Sequence, residues 1–260
     1  MLLDGRHALV TGAGSGLGKA SAIKLAEEGA HLALLDRSVE AATETAEAIR
    51  ALGRETLVLG ADVSSEEDMN AAFAEIDKSF GKLDFTFANA GINGLWTPIE
   101  EFPYDEWNRT QSINLGGTFL TVRGSVPLMR KNGGGSIAIT SSINGTRTFT
   151  LAGASGYSAS KAAQFAFGQQ AAVELGRYKI RVNVICPGAI ATSIGASTTR
   201  VNTDAVRIRS EFPEGSIPLT GTEPGKAEDV GDLIVFLASD RSRHISGSPI
   251  WIDGAQGLVI

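Results

Sequence analysis

Thr11-Gly12-Ala13-Gly14-Ser15-Gly16-Leu17-Gly18 follows the apolar run Ala8-Leu9-Val10 and precedes a helical stretch through Lys19, Ala22, Ile23 and Ala26. A glycine loop that turns from strand into helix aims backbone N–H groups and a helix N-terminus at a phosphate. Its glycines permit the tight turn and leave no side chain to hold a pyrophosphate away. The context of strand, loop and helix therefore predicts a dinucleotide site. Gly12, Ser15, Gly16, Leu17 and Gly18 are its candidate contacts.

Outward from this loop, strand and helix signals alternate to the end of the chain. Residues 7–11 and His31 to Leu35 read as the first two strands, Glu40 to Ala51 as a helix, and Thr56 to Leu59 as the third strand. Ser64 or Ser65 caps the next helix, whose apolar stripe is Met69, Phe73, Ile76 and Phe80. Strand four spans Leu83 to Ala88, a long helical region spans Ile113 to Met129, and Ser136 to Thr140 forms strand five after three glycines. A helix over about 156–176, a strand over Ile180 to Ile185, a helix near 227–239 and a strand around Pro249 to Ile252 complete the pattern. Serial strand–helix alternation predicts an α/β fold: a single-domain, Rossmann-like, doubly wound parallel sheet with helices on both faces. The Ser-, Thr-, Gly- and Pro-rich segment 191–223 reads as a substrate lid or as a passive surface excursion.

With 260 residues, 43% of them hydrophobic, the chain can bury a substantial single core. A formal charge of −6 argues against nucleic acid or an anionic membrane as partner. The short apolar start, broken by Asp4 and Arg6, lacks the pattern of a secretion signal, and no run is long enough to span a bilayer. Cys186 is the only cysteine, which excludes an internal disulfide and a cysteine-rich zinc site. A cytoplasmic location is the expectation. His7, His31 and His244 are widely dispersed, and no metal is expected.

Asp36 directly follows the second strand. A carboxylate there accepts both hydroxyls of an adenosine ribose and repels a 2′-phosphate, which favours NAD over NADP. Arg37 beside it pulls the other way. Asp62-Val63 ends the third strand, where Asp62 either contacts adenine or caps the following helix. Asn89-Ala90-Gly91 ends strand four, with small residues that let backbone and dinucleotide approach, and Asn89 as a tie between central strands or part of a generic turn. Pro187-Gly188 leads to Thr192, whose hydroxyl either reaches the cofactor or caps a helix.

Tyr157 and Lys161 stand four residues apart on one helical face. A tyrosine with a pKa of about 10 is a poor base at neutral pH unless cationic neighbours favour the phenolate. Lys161 and a nicotinamide ring supply such charge, Lys161 also holds ribose hydroxyls, and a hydroxyl such as that of Ser142 orients the substrate oxygen. Tyr157 then removes the proton of an alcohol, or returns one to the oxygen of a carbonyl being reduced.

Nearly the whole chain resembles the short-chain dehydrogenase/reductase family. The resemblance rests on Thr11 to Gly18, on Asn89-Ala90-Gly91 with Ala88 in place of a common asparagine, and on Tyr157 with Lys161. It implies a tetrad of Asn114, Ser142, Tyr157 and Lys161, with Asn114 shaping a helix bend and helping to hold a proton-relaying water. Ser141 and Ser142 compete for the serine role, and the strand-end alignment favours Ser142. The resemblance also places Ile190 and Thr192 on the nicotinamide side and implies a homotetramer. NAD-linked interconversion of a small secondary alcohol and its ketone is the expected reaction. An NADPH-linked carbonyl or 3-oxoacyl reductase and a non-catalytic dinucleotide-binding regulator are the alternatives. Phe149, Leu151, Ile194 and Phe212 are candidates for an apolar substrate pocket, and Arg147 or Arg200 for recognition of an acid.

Overall fold

The apolar strand runs pair side by side in a computed structural model that describes residues 1–208 and 212–259. In chain order the elements are β1 (His7–Thr11), α1 (Gly16–Glu27), β2 (His31–Asp36), α2 (Val39–Ala51), β3 (Thr56–Gly60), α3 (Glu66–Phe80), β4 (Phe85–Ala88) and β5 (Gly94–Trp96). There follow α4 (Tyr104–Gln111), α5 (Gly117–Lys131), β6 (Gly135–Thr140), α6 (Ser155–Leu175), β7 (Ile180–Pro187), β8 (Thr198–Arg200), α7 (Ala227–Ala238) and β9 (Pro249–Ile252). Seven strands form one parallel sheet in the order β3-β2-β1-β4-β6-β7-β9. Because β2 and β4 leave β1 on opposite sides, a crevice opens at the carboxyl ends of β1 and β4.

Both sheet faces are covered, as the continuous apolar runs require. One core joins Leu9, Leu35 and Ile139 to α3, α5 and α6 through residues such as Ile76, Leu128 and Ala172. The other joins Val10, Leu34 and Phe87 to α1, α2 and α7 through Leu25, Ile49 and Ile234. Each of the Leu, Ile, Val and Phe side chains taken fully out of water contributes about 1.5–3 kcal/mol. A Cβ at Gly168 would collide with Val184, so glycine lets α6 lie directly on β7. The result is a single doubly wound Rossmann-like domain.

Local chemistry sets the helix starts. Ser65, not Ser64, caps α3, accepting from the Asp68 N–H at 3.2 Å. The helical region expected from Ile113 begins earlier, at Tyr104, after Pro103 and with Asp105 and Glu106 in its first turn. Its strongly polar composition hid it. A π-turn over Ser112–Gly116 then offsets α4 from α5, so the region is two helices joined by a wide turn. Within the expected lid segment, Ser193–Ser197 and Thr203–Val206 form short 3-10 turns, and β8 pairs with β5 in a separate two-stranded sheet. Residues 209–211 of that segment lie outside the described residues.

Asn89 ties three strand ends together. Its backbone N–H donates to Thr11 Oγ1 at 3.0 Å, its Nδ2 donates to the Thr11 carbonyl at 3.1 Å, and its Oδ1 accepts from Thr140 Oγ1 at 3.2 Å. This is the strand tie, not a generic turn. Replacing Asn89 by Ala leaves the side-chain partners on β1 and β6 unpaired, at a cost of about 1–3 kcal/mol. A lower urea midpoint at unchanged slope is the expected result, and an unchanged midpoint would show that the tie contributes nothing.

Candidate active site

A cleft of about 660 Å³ runs along the carboxyl ends of the strands, from Asp36 and Asp62 at one end to Ser142, Tyr157 and Lys161 at the other. That size suits a ligand as large as a dinucleotide. Gly12, Ser15, Gly16, Leu17, Arg37, Val63, Asn89, Ala90, Gly91, Pro187, Gly188, Ile190 and Thr192 all stand on its wall. Gly12 and Gly16 adopt φ of +67° and +52°, where a side chain is strained. Ser15 precedes α1 without spending its hydroxyl on a cap, and the first-turn N–H groups have no partners inside the helix. These donors suit a pyrophosphate.

Gly18 is not on the wall. A Cβ there would collide with the Gly12 carbonyl, so this glycine serves the packing of α1 on the loop. Asp36 Oδ2 accepts from the Gly14 N–H at 2.9 Å, and Oδ1 accepts from the Ser38 N–H at 2.9 Å. Two backbone donors thereby fix the carboxylate at the end of β2, with further lone pairs directed elsewhere. Asp62 takes part in neither helix cap. Its Oδ1 accepts from both the N–H and the hydroxyl of Ser64, at 2.8 and 2.6 Å. The Ser64 hydroxyl leads in holding its pKa below the usual value against burial, with help from the Ser64 N–H and the charges of Arg37 and Arg109. Thr192 precedes a 3-10 turn without capping it through its side chain, which leaves its hydroxyl to the cleft.

At the other end, α6 presents Tyr157 and Lys161 from one face. Lys161 is 3% exposed, and its Nζ donates to the Thr140 carbonyl at 3.0 Å and lies 5.6 Å from the centre of the Tyr157 ring. Burial lowers the lysine to about 8. Burial also raises the Tyr157 phenol above its ordinary value, and hydrogen bonding with the Ser142 hydroxyl opposes this only in part. Burial dominates because a ring enclosed by protein loses the water that would solvate its anion, and the expected pull of Lys161 toward phenolate does not figure among the causes of the shift. Ser141 donates its hydroxyl to the Lys161 carbonyl at 2.7 Å, anchoring α6 to the end of β6. Ser142 instead accepts from the Asn144 N–H at 3.1 Å, which leaves its own proton for the oxygen of Tyr157.

Asn114 is completely buried behind the wall, not on it. Its Oδ1 accepts from the Ile92 N–H at 2.8 Å, while Nδ2 donates to the Ile92 carbonyl and to Ser160 Oγ, each at 2.9 Å. A Cβ on Gly91 would lie 3.0 Å from Asn114 Oδ1 and 3.6 Å from Lys161 Nζ, so the two groups flank that glycine. The π-turn brings Asn114 there, and Gln164 steadies it by donating to the Asn114 carbonyl at 2.9 Å. Gln164 carries no motif signal, since its role exists only once α6 meets the π-turn.

The substrate mouth departs most from expectation. Ile194 lines the cleft, whereas Phe149, Leu151 and Phe212 do not. Phe149 is 72% exposed. Arg147 and Arg200 stack over Trp251 and Trp96, at 3.6 and 4.7 Å from the ring centres, and neither lines the cleft. Ile92, Arg109, Ile113, Ser193, Ser197 and Thr199 are wall residues that sequence reasoning missed. Cys186 is buried and its thiol is pushed up to about 11 by burial, which suits a packing residue. Among the described residues no group of three or more His, Cys, Asp or Glu side chains is arranged to hold a metal, and no helix is long and apolar enough to cross a membrane.

The family described as "Enoyl-(Acyl carrier protein) reductase" matches residues 12–255. The levodione reductase of Leifsonia aquatica is 37% identical over 253 residues, which cover 96% of this chain and 94% of that protein. This chain is a short-chain dehydrogenase/reductase. The cyclohexanol dehydrogenase of Acinetobacter sp. (strain SE19) is 34% identical, over 97% of this chain and 95% of its own length. The crystal structure of a 3-ketoacyl-ACP reductase from Sinorhizobium meliloti 1021 superposes with a TM-score of 0.94 at 48% identity, covering 98% of this chain and 100% of the other. As a family member, the protein is an oxidoreductase that acts on CH–OH groups with a nicotinamide dinucleotide and interconverts alcohol and ketone.

Burial of Lys161 carries a stability signature. The unfolded lysine keeps its proton up to 10.5, the folded one only to about 8. Between those values the unfolded chain binds more protons, so stability rises with pH there, and the penalty is largest below that window. Lys161→Met removes the buried charge and is expected to raise Tm at pH 7 by about 2–4 °C or more. The margin should shrink as pH climbs from 8 toward 10.5. Thermal melts at pH 7 and 9.5 check this, and a margin independent of pH would refute it.

Proposed function

We propose that the protein is an NAD-dependent dehydrogenase of small secondary alcohols, reversible toward the ketone, with Tyr157 as its acid/base. The observation that carries this reading is the meeting of Ser142, Tyr157 and Lys161 at one end of a continuous cleft that has the fixed Asp36 carboxylate at the other. Asp36 accepts ribose hydroxyls and repels a 2′-phosphate, and this favours NAD. Gly12, Ser15, Gly16 and Leu17 cradle the pyrophosphate. Asp62 and Val63 border adenine with Arg37 at the rim, and Asn89, Ala90, Gly91, Pro187, Gly188, Ile190 and Thr192 line the path toward nicotinamide.

A nicotinamide dinucleotide held in this cleft would supply the acceptor for hydride from the carbinol carbon and the donor for its return to the ketone. The Ser142 hydroxyl donates to the substrate oxygen and steadies charge developing on it. Tyr157 takes the hydroxyl proton in oxidation and gives it back in reduction. Because burial alone opposes the phenolate, cationic neighbours must stabilise it during turnover, and Lys161 supplies one. Lys161 also holds the nicotinamide ribose, and Asn114 helps to hold a water that relays the proton outward. The segment 191–223 acts as the substrate lid. The protein works in the cytoplasm as a homotetramer, and exposed apolar side chains on α5 and α6, Phe119 and Val173 among them, support the assembly.

The likeness to a 3-ketoacyl-ACP reductase favours a second reading, reduction of a 3-oxoacyl thioester, and Arg37 beside Asp36 leaves NADPH as its alternative cofactor. Both are tested by following NADH and NADPH absorbance over a panel of secondary alcohols, ketones and 3-oxoacyl thioesters. Tyr157→Phe should lower kcat by about 100-fold or more while NAD binding persists. Asp36→Ala should narrow the preference for NAD by about tenfold or more, as expected when a repulsive charge is removed. Turnover surviving in Tyr157→Phe would refute the acid/base role, and wild-type preference for NADPH would overturn the cofactor assignment. Light scattering on the wild-type protein should return four times the chain mass.

A further inference from the structure

Tyr157 leans on a side chain outside the cleft wall. Trp96 of β5 is 7% exposed and packs with Ala154 and Tyr157 in a small apolar cluster separate from both sheet-face cores. Its Nε1 donates to the Asn93 carbonyl at 3.2 Å, which fixes the edge of the indole. Its backbone is hemmed in by the turn before α6, where a Cβ on Gly153 would lie 3.0 Å from the Trp96 carbonyl carbon. The Arg200 guanidinium lies over the indole, 4.7 Å from its ring centre. Contacts therefore run from β8 through Trp96 to the phenol.

The segment bearing Arg200 is fastened at the same place. β8 pairs with β5 in the register Gly94↔Thr198 and Trp96↔Arg200. The Asn93 N–H donates to Ser197 Oγ at 3.0 Å, Asn93 Nδ2 to Thr198 Oγ1 at 2.7 Å, and the Val201 N–H to the Trp96 carbonyl at 3.0 Å. Asn202 Nδ2 reaches Glu101 Oε2 at 2.7 Å. An isolated two-stranded pair this short has little stability of its own, so these side chains decide whether it holds. The same segment supplies Ser193, Ile194, Ser197 and Thr199 to the cleft wall.

We propose that Trp96, clamped by Arg200, is a positioning residue for Tyr157, holding the phenol in its reactive place when the 193–202 segment is seated on β5. The proposal rests on the reading of Tyr157 as acid/base. A cation over an indole is a modest attraction at an exposed site, but a misplaced reacting group costs rate steeply.

The test labels the three tryptophans with 5-fluorotryptophan and assigns the Trp96 fluorine resonance by its loss in Trp96→Phe. In Arg200→Gln that resonance should move while those of Trp107 and Trp251 stay. With the fastest alcohol of the panel, kcat should fall about five- to tenfold with KM for NAD unchanged. Arg200→Lys, which keeps a cation over the ring, should restore most of kcat. An unmoved Trp96 resonance, or wild-type kcat in a variant whose resonance has moved, overturns the proposal. Full turnover in Tyr157→Phe overturns the acid/base reading and the proposal with it. The resonance shift of Arg200→Gln distinguishes that failure from failure of the clamp.

Discussion

One carboxamide joins the two ends of the site. Asn89 bonds to Thr11 on β1 and to the Thr140 hydroxyl on β6, and the Thr140 carbonyl in turn accepts from Lys161. The phosphate loop begins at Thr11, so the loop and the lysine are referenced to the same strand ends. β-strands resist shear through their ladders, but their ends are where pairing stops and register is least constrained. A polar tie at that point converts a sheet edge into a rigid frame, and the crevice between β1 and β4 inherits its width. The tie also explains why Ala88 in place of a common asparagine leaves the fold intact, since the strand-end bonds belong to position 89.

Above that frame the protein keeps groups that oppose its own stability. Lys161 is enclosed with one carbonyl as partner, and Tyr157 is enclosed beside a hydroxyl. Burying an ammonium costs free energy that a well-packed methionine would not. Strongly shifted groups of this kind gather at sites of proton transfer, because the same burial that costs stability brings a lysine toward neutral pH. The surrounding hydrogen bonds are correspondingly dense: Ser141 pins α6, and Ser160 and Gln164 hold Asn114.

What could be read from the sequence divides along the chain's own geometry. The glycine loop, Asp36 and the Tyr157/Lys161 pair were legible because each depends on residues within one turn or one strand end. The doubly wound sheet followed from apolar runs alternating with amphipathic stretches. The packing role of Gly18 is not legible, because a glycine that allows helix packing and a glycine that admits a ligand look alike in one dimension. The start of α4 is not legible because its sequence is mostly polar, with Tyr104 and Trp107 its only aromatic side chains, and the π-turn carries no periodic signal. Asn114 was legible only through family resemblance, since its environment is made by Ile92 and Ser160, far away in sequence.

The substrate end shows this limit most clearly. Arg147 and Arg200 look like receptors for an acid when read as free charges near an aromatic, yet each is laid against an indole from a distant segment. A guanidinium in that position is oriented by the ring's electrons, and its charge no longer measures what the cleft can recognise. The phosphate loop is built from contiguous sequence because every dinucleotide presents the same phosphates to a strand–loop–helix unit. The far end of the cleft is walled by Ser193, Ile194, Ser197 and Thr199, a segment held by β5, which in turn packs on the turn before α6, and none of these pieces specifies its neighbours locally. The shape of that end therefore depends on how these segments seat on one another, with Trp96 at their junction.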